Sequence, residues 1–162
     1  MPGSTIGKKM NLGYLGKISR DGDALVVNRV VSNEEDSLPI KFGSPVFLND
    51  DNTVRNWKTG DTVNKFVGIA VATVIQATEY TKQESSYHPA KGCDTLVRGS
   101  IIVELGTGTP KAGGAVYYNP TTNKFDTSET SGTTIAIPAS FTTGYLDGKG
   151  SVEITILERN LI

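Results

Sequence analysis

The chain has 162 residues, with 16 Lys plus Arg against 17 Asp plus Glu and a net charge of −1. That length suits one ordinary domain, or a domain with an arm. The balanced charge argues against nucleic-acid binding, which needs a basic surplus to neutralise phosphates. Val, Ile and Thr together number 45, beside eighteen Gly and seven Pro; side chains branched at Cβ favour a pleated surface, so the composition reads as all-β with many turns.

Residues 1–20 differ from the rest of the chain. Glycines at 3, 7, 13 and 16 separate isolated Ile6, Met10, Leu12, Tyr14 and Leu15, and neither the helical nor the strand period is sustained. An extended N-terminal arm carrying apolar anchors is the expectation for 1–20, with one β-domain over 21–162. The opening Met1-Pro2-Gly3-Ser4-Thr5 lacks the apolar core of a signal peptide, so synthesis without export is expected.

The turn signal Asp21-Gly22-Asp23 introduces a strand over Ala24 to Val31. Ile40-Lys41-Phe42 and Val46-Phe47-Leu48 are short strands around Gly43-Ser44-Pro45. Lys65 to Ile75 is the most apolar stretch and reads as a central strand, apolar on both faces; it is far short of the twenty or so residues that span a membrane. It runs on without Gly or Pro to Tyr87, which leaves a helix over 69–84 as the alternative. Leu96 to Leu105 follows, with Val97, Ile101, Val103 and Leu105 on one face. Ala115 to Tyr118 joins Lys124-Phe125 through Asn119-Pro120-Thr121-Thr122-Asn123, a hairpin signal. Thr134 to Ile137 and Phe141 to Leu146 come next. In the last strand Val152, Ile154 and Ile156 alternate with Ser151, Glu153 and Thr155. Nine to eleven short strands at this spacing predict a small β-barrel or β-sandwich. Residues 43–49 also echo residues 113–119, each followed by a Thr/Asn-rich turn. Two related hairpin units, or chance similarity of two Gly-rich strand starts, account for this equally.

The catalytic inventory is thin. His88 is the one histidine and Cys93 the one cysteine, so an internal disulfide and a cysteine-rich metal site are both ruled out. His88, Cys93 and Asp94 make a superficial nucleophile set, but their spacing matches no known motif. Gly106-Thr107-Gly108-Thr109-Pro110-Lys111 lacks the spacing and following helix of a phosphate loop and reads as a strand-to-strand turn. Nothing in the sequence around Glu34, Glu35, Asp36 or Glu153 suggests the burial that would raise a catalytic carboxyl pKa. No enzyme activity and no cofactor are expected.

The series Gly16-Lys17-Ile18-Ser19-Arg20, Ile40 to Val46, Val67-Gly68-Ile69-Ala70, Val97 to Val103 and Ala112 to Tyr118 continues with Ile135 to Ala139, Thr143-Gly144-Tyr145 and Val152-Glu153-Ile154. In this order it resembles the structural cement, or capsid decoration, proteins of tailed bacteriophages, from about residue 13 to 158. One departure is Tyr87-His88-Pro89-Ala90-Lys91-Gly92, where a tighter Pro-Gly turn is expected.

The resemblance implies a barrel-like structural protein on the outer surface of the virion, made in the host cytoplasm. Its partner would be the major capsid protein, whose subunits it bridges. It also implies self-association, as a homotrimer by preference or a homodimer, with no nucleic acid and no membrane. Joined to the arm, it makes Ile6, Lys8, Lys9, Met10, Leu12, Tyr14, Leu15 and Arg20 the expected capsid contacts. Tyr80, Tyr87 and His88 in the later loop are the second choice. Lys8, Lys9 and Arg20 are expected to face acidic groups of the capsid. The competing reading is a carbohydrate-binding β-sandwich, for which Trp57, Tyr80 and Tyr87 would form an exposed platform.

Overall fold

The computed structural model describes residues 12–73 and 85–157. The expected contacts Ile6, Lys8, Lys9, Met10 and Tyr80 lie outside them, as does most of the alternative helix over 69–84. The described residues form eleven strands: β1 (Ile18–Val30), β2 (Ile40–Lys41), β3 (Pro45–Leu48), β4 (Val54–Arg55), β5 (Phe66–Ala70), β6 (Ser86–Tyr87), β7 (Gly92–Glu104), β8 (Ala115–Asn119), β9 (Lys124–Asp126), β10 (Ile135–Leu146) and β11 (Ser151–Ile156). A single 3-10 turn at Val63–Lys65 is the only helical element among them. The fold is all-β, as the composition predicts.

Nine strands make one antiparallel sheet in the order β4-β3-β5-β7-β11-β10-β8-β9, with β1 also paired to β7; β2 and β6 form a separate ribbon. The large sheet curls. Its last strand returns to the end of β7 through a Leu105–Phe125 bridge, where the Gly106 N–H donates to the Phe125 carbonyl at 2.8 Å. Inside the curl, Phe47, Phe66, Ile101, Val116, Phe125, Phe141 and Ile154 are buried together. A second cluster, including Val31, Ile40, Val46, Val67, Tyr87 and Val97, fills the space on the other side of β3, β5 and β7. All five residues of β5 are buried, so the expectation of a strand apolar on both faces holds for Phe66–Ala70. Past Ala70 the Val71 N–H still donates to the Asp94 carbonyl of β7, and the Ala72 N–H then turns away to the Gly16 carbonyl, both at 2.8 Å.

The echo between 43–49 and 113–119 corresponds to matching topology. β3 pairs with β4 and β5, and β8 pairs with β9 and β10, all antiparallel. Gly43 and Gly113 both have φ +77°, and Asn52 and Asn123 hold the left-handed conformation in the two hairpin turns. The sequence echo, left open between related units and chance, thus coincides with the same pairing pattern in both places.

Strand β7 departs from simple alternation. Ile101, Val103 and Leu105 face the curl as expected, but Val97 belongs to the second cluster and its neighbour Leu96 takes the inner position. Gly99, at φ +119°, shifts the alternation by one residue. A Cβ on Gly99 would lie 3.0 Å from the Ala24 Cα, so the close passage of β1 over β7 also requires glycine there. β1 begins earlier than predicted, at Ile18. Asp21-Gly22-Asp23 is an irregularity inside it, marked by register shifts between Arg20 and Leu25, and does not open the strand.

Candidate functional site

The base of the predicted arm, residues 12–20, is joined to the barrel. Leu12 is buried, while Tyr14 is 62% exposed. A turn closes with the Lys17 N–H donating to the Tyr14 carbonyl at 3.2 Å. Gly16 then inserts between two elements: its N–H donates to the Ile102 carbonyl and its own carbonyl accepts from the Ala72 N–H, each at 2.8 Å, while the Ile102 N–H donates to the Lys17 carbonyl. At Gly16, φ is +78°, and an added Cβ would sit 2.8 Å from Ala72 N and 3.0 Å from both Ala70 O and Gly43 N. No side chain fits there. Leu15 is half-buried and lies over Gly43.

One strand turn later, Ser19 and Arg20 close over Glu153 of β11. The Ser19 hydroxyl donates to Glu153 Oε1 at 2.6 Å, and Arg20 Nε donates to the same oxygen at 3.0 Å, with Nη2 at 3.4 Å from Oε2. The Glu153 side chain is 5% exposed. One sequence expectation is corrected here. Glu153 is not on a solvated face, because β1 covers it. Arg20 already serves an internal carboxylate, whose hydrogen bond and charge hold its guanidinium pKa above the usual value.

The second-choice loop divides. Tyr87 is buried: its hydroxyl donates to the Val71 carbonyl at 2.7 Å and lies 3.0 Å from Thr73 Oγ1. Its ring meets Phe42 edge-on at 5.2 Å, and burial pushes its pKa up to about 12. It is a core residue with no face to offer a partner. His88 is on the surface, at the start of a turn in which the Lys91 N–H donates to the His88 carbonyl at 3.1 Å and Ala90 holds φ +62°. The unexpected Pro89-Ala90 sequence therefore does make a tight turn, with Ala90 at the position a glycine would occupy without strain.

The His88, Cys93 and Asp94 set is not assembled as a nucleophile. Cys93 is fully buried, and burial pushes its thiol up to about 12, away from the thiolate. Its sulfur lies 3.7 Å from Thr95 Oγ1, and Asp94 instead accepts from Asn28 Nδ2 at 2.7 Å. The Gly106–Lys111 segment is a strand-to-strand connection, with the Thr107 N–H donating to buried Asp126 at 2.8 Å. Among the described residues, no three His, Cys, Asp or Glu side chains come together as a metal site. None of their helices is long and apolar enough to cross a membrane. Trp57 is half-buried with its ring 5.2 Å from that of Phe47, so neither it nor Tyr87 forms an exposed sugar platform.

What remains is a curled sheet with residues 16–20 stitched into it. The family model described as structural cement protein (E217 gp24/Pam3 gp6) matches residues 2–159. The chain belongs to this structural cement protein family of phages. A solved chain from the capsid of Myoviridae phage XM1 has the same fold, with a TM-score of 0.74 at 12% identity, covering 95% of this chain and 96% of that one. No curated protein matches the chain. A structural role at a phage capsid follows from the family, and it is not a catalytic one.

Proposed function

We propose that the protein decorates the outer face of the assembled phage head and stabilises it by bridging neighbouring major capsid protein subunits, with the N-terminal arm as its principal contact. The observation that carries this reading is the family match from residue 2 onward, which takes in the arm as well as the barrel. The stitched base at Gly16 and Lys17 supports it, since a contact arm needs a fixed point from which to transmit load. Ile6 and Met10 are the apolar side chains of the arm that a capsid surface would bury. Each copy adds moderate contacts to several subunits, and copies and subunits hold one another in place. The protein is made in the host cytoplasm, joins the particle from outside, and associates with itself as a homotrimer or a homodimer. Tyr14, Leu15 and exposed His88 are the described residues that complete this surface.

A reconstruction of the particle should place the protein on the shell exterior with residues 1–11 against capsid protein; density on the inner face would overturn the reading. Because Leu12 is buried, the clean truncation is removal of residues 2–11. The truncated protein should melt within a degree or two of the full chain and be lost from particles on sedimentation. Full retention would move the contact to the barrel loops.

A further inference from the structure

Strand β1 has one edge on β7, and its other edge pairs with no strand among the described residues. The hydrogen-bond alternation identifies which residues face outward. The Asp94 carbonyl accepts from Val71 N–H, so Asp94 and Leu96 of β7 face β5, while Cys93 and Thr95 face β1. Their partners Arg29 and Val27 therefore bond to β7, and the backbone groups of Val26, Asn28 and Val30 point the other way, with no partner among the described residues. The same three side chains lie on the surface, Val26 39% and Val30 51% exposed. The open stretch is bounded. Beyond it the Ser32 N–H donates to the Val54 carbonyl of β4 at 2.8 Å, and before it the register breaks between Arg20 and Leu25 and between Leu25 and Val26. No outward proline or lysine blunts the edge, the usual means of keeping a strand from pairing.

We infer that this edge is the interface between two copies of the chain, joined antiparallel across a two-fold axis through Asn28. In that register Val26 faces Val30 of the second copy, Val30 faces its Val26, and Asn28 faces Asn28. All three outward residues become hydrogen-bonded pairs, with apolar side chains meeting on the exposed face. A register centred on Val26 would set Val30 against Gly22 in the irregular stretch. One centred on Val30 would set Val26 against Glu34, beyond the strand. Centring on Val27 or Arg29 would leave Val30 against Ala24 or Val26 against Ser32, so only the register through Asn28 pairs all three outward residues among themselves, which is why the occupant is a second copy and why the pairing is two-fold. Of the two self-association states, this selects the homodimer. The pairing needs no capsid, so its failure and the failure of the capsid reading are separate results.

The test is sedimentation and light scattering of the full chain over a dilution series. The protein should dimerise. V26K/V30K, which sets lysine against lysine at both outer pairs, should weaken dimerisation at least tenfold while leaving the melting temperature of the monomer in place. V26K/V30E, which sets lysine against glutamate in the same register, should restore it. A chain that stays monomeric at every concentration, or an oligomer indifferent to V26K/V30K, overturns the inference. So does a monomer whose V26K/V30K variant is lost from capsids, since the edge would then take a strand of capsid protein.

Discussion

Ala90 shows how a single residue departs from what its backbone prefers. At φ +62° it occupies a conformation that costs an L side chain on the order of 1–2 kcal/mol and glycine very little. Glycine's extra freedom in the unfolded chain returns part of that. Ala90→Gly should raise stability by about 0.5–1 kcal/mol, measured by denaturant unfolding; a loss would mean that the turn is not strained. Arg55 and Asp61 carry the clearest charge effect. Both side chains are under 10% exposed, with Nη2 at 2.8 Å from Oδ1. Burial pushes the Asp61 pKa up, but the hydrogen bond and charge of Arg55, with the Lys58 N–H, outweigh it and the net shift is downward. A carboxyl lowered on folding contributes stability above its unfolded pKa, near 3.8, and loses it as pH falls through the lower folded value. Stability should therefore decline below about pH 4. Asp61→Asn should remove part of that slope and cost about 3 kcal/mol at neutral pH, because Arg55 is left buried and unpaired. Unchanged acid dependence in the variant would rule Asp61 out as its source.

The informative element is the start of β1. Sequence periodicity assigns residues 1–20 to an arm, yet Gly16 to Arg20 are bonded into the sheet by contacts to Ile102, Ala72 and Glu153. Those partners are more than fifty residues away, so no local pattern announces them. Gly16→Ala should destabilise the fold by about 2–3 kcal/mol, since it adds backbone strain and a 2.8 Å approach to Ala72 N. A neutral result would show that the base of the arm is not seated as described. On the proposed capsid contact, Lys8 and Lys9 would face acidic groups of the capsid, while Arg20 also serves Glu153. Exposed ion pairs contribute on the order of 0.2–1 kcal/mol each and are screened by salt. Lys8→Ala/Lys9→Ala should reduce the salt sensitivity of particle binding more than its extent at low salt.

Across the whole molecule, β3, β5 and β7 each supply side chains to both core clusters, so neither cluster can empty without the other. Unfolding followed by Trp57 fluorescence, which reports the inner cluster, should coincide with loss of strand signal in far-UV circular dichroism as one transition. Two resolved transitions would mean that the clusters are independent. Within that unit, Ile154→Ala should cost about 2–4 kcal/mol, because its side chain is wholly enclosed. A cost below 1 kcal/mol would show that the curl is loosely packed around it.

The chain by itself determined the fold class and most strand positions, because β-branched runs, turn glycines and asparagines act on the few residues beside them. The family resemblance was legible for the same reason, as a series of strand starts in order. Tertiary structure decided which side of a strand meets what. Gly99 moved Val97 to the other cluster, β1 covered Glu153 and took Arg20, and the second cluster enclosed Tyr87, a residue that looked exposed in a polar loop. Burial depends on what packs above a residue, and here those neighbours come from distant parts of the chain. Local periodicity carries no information about them.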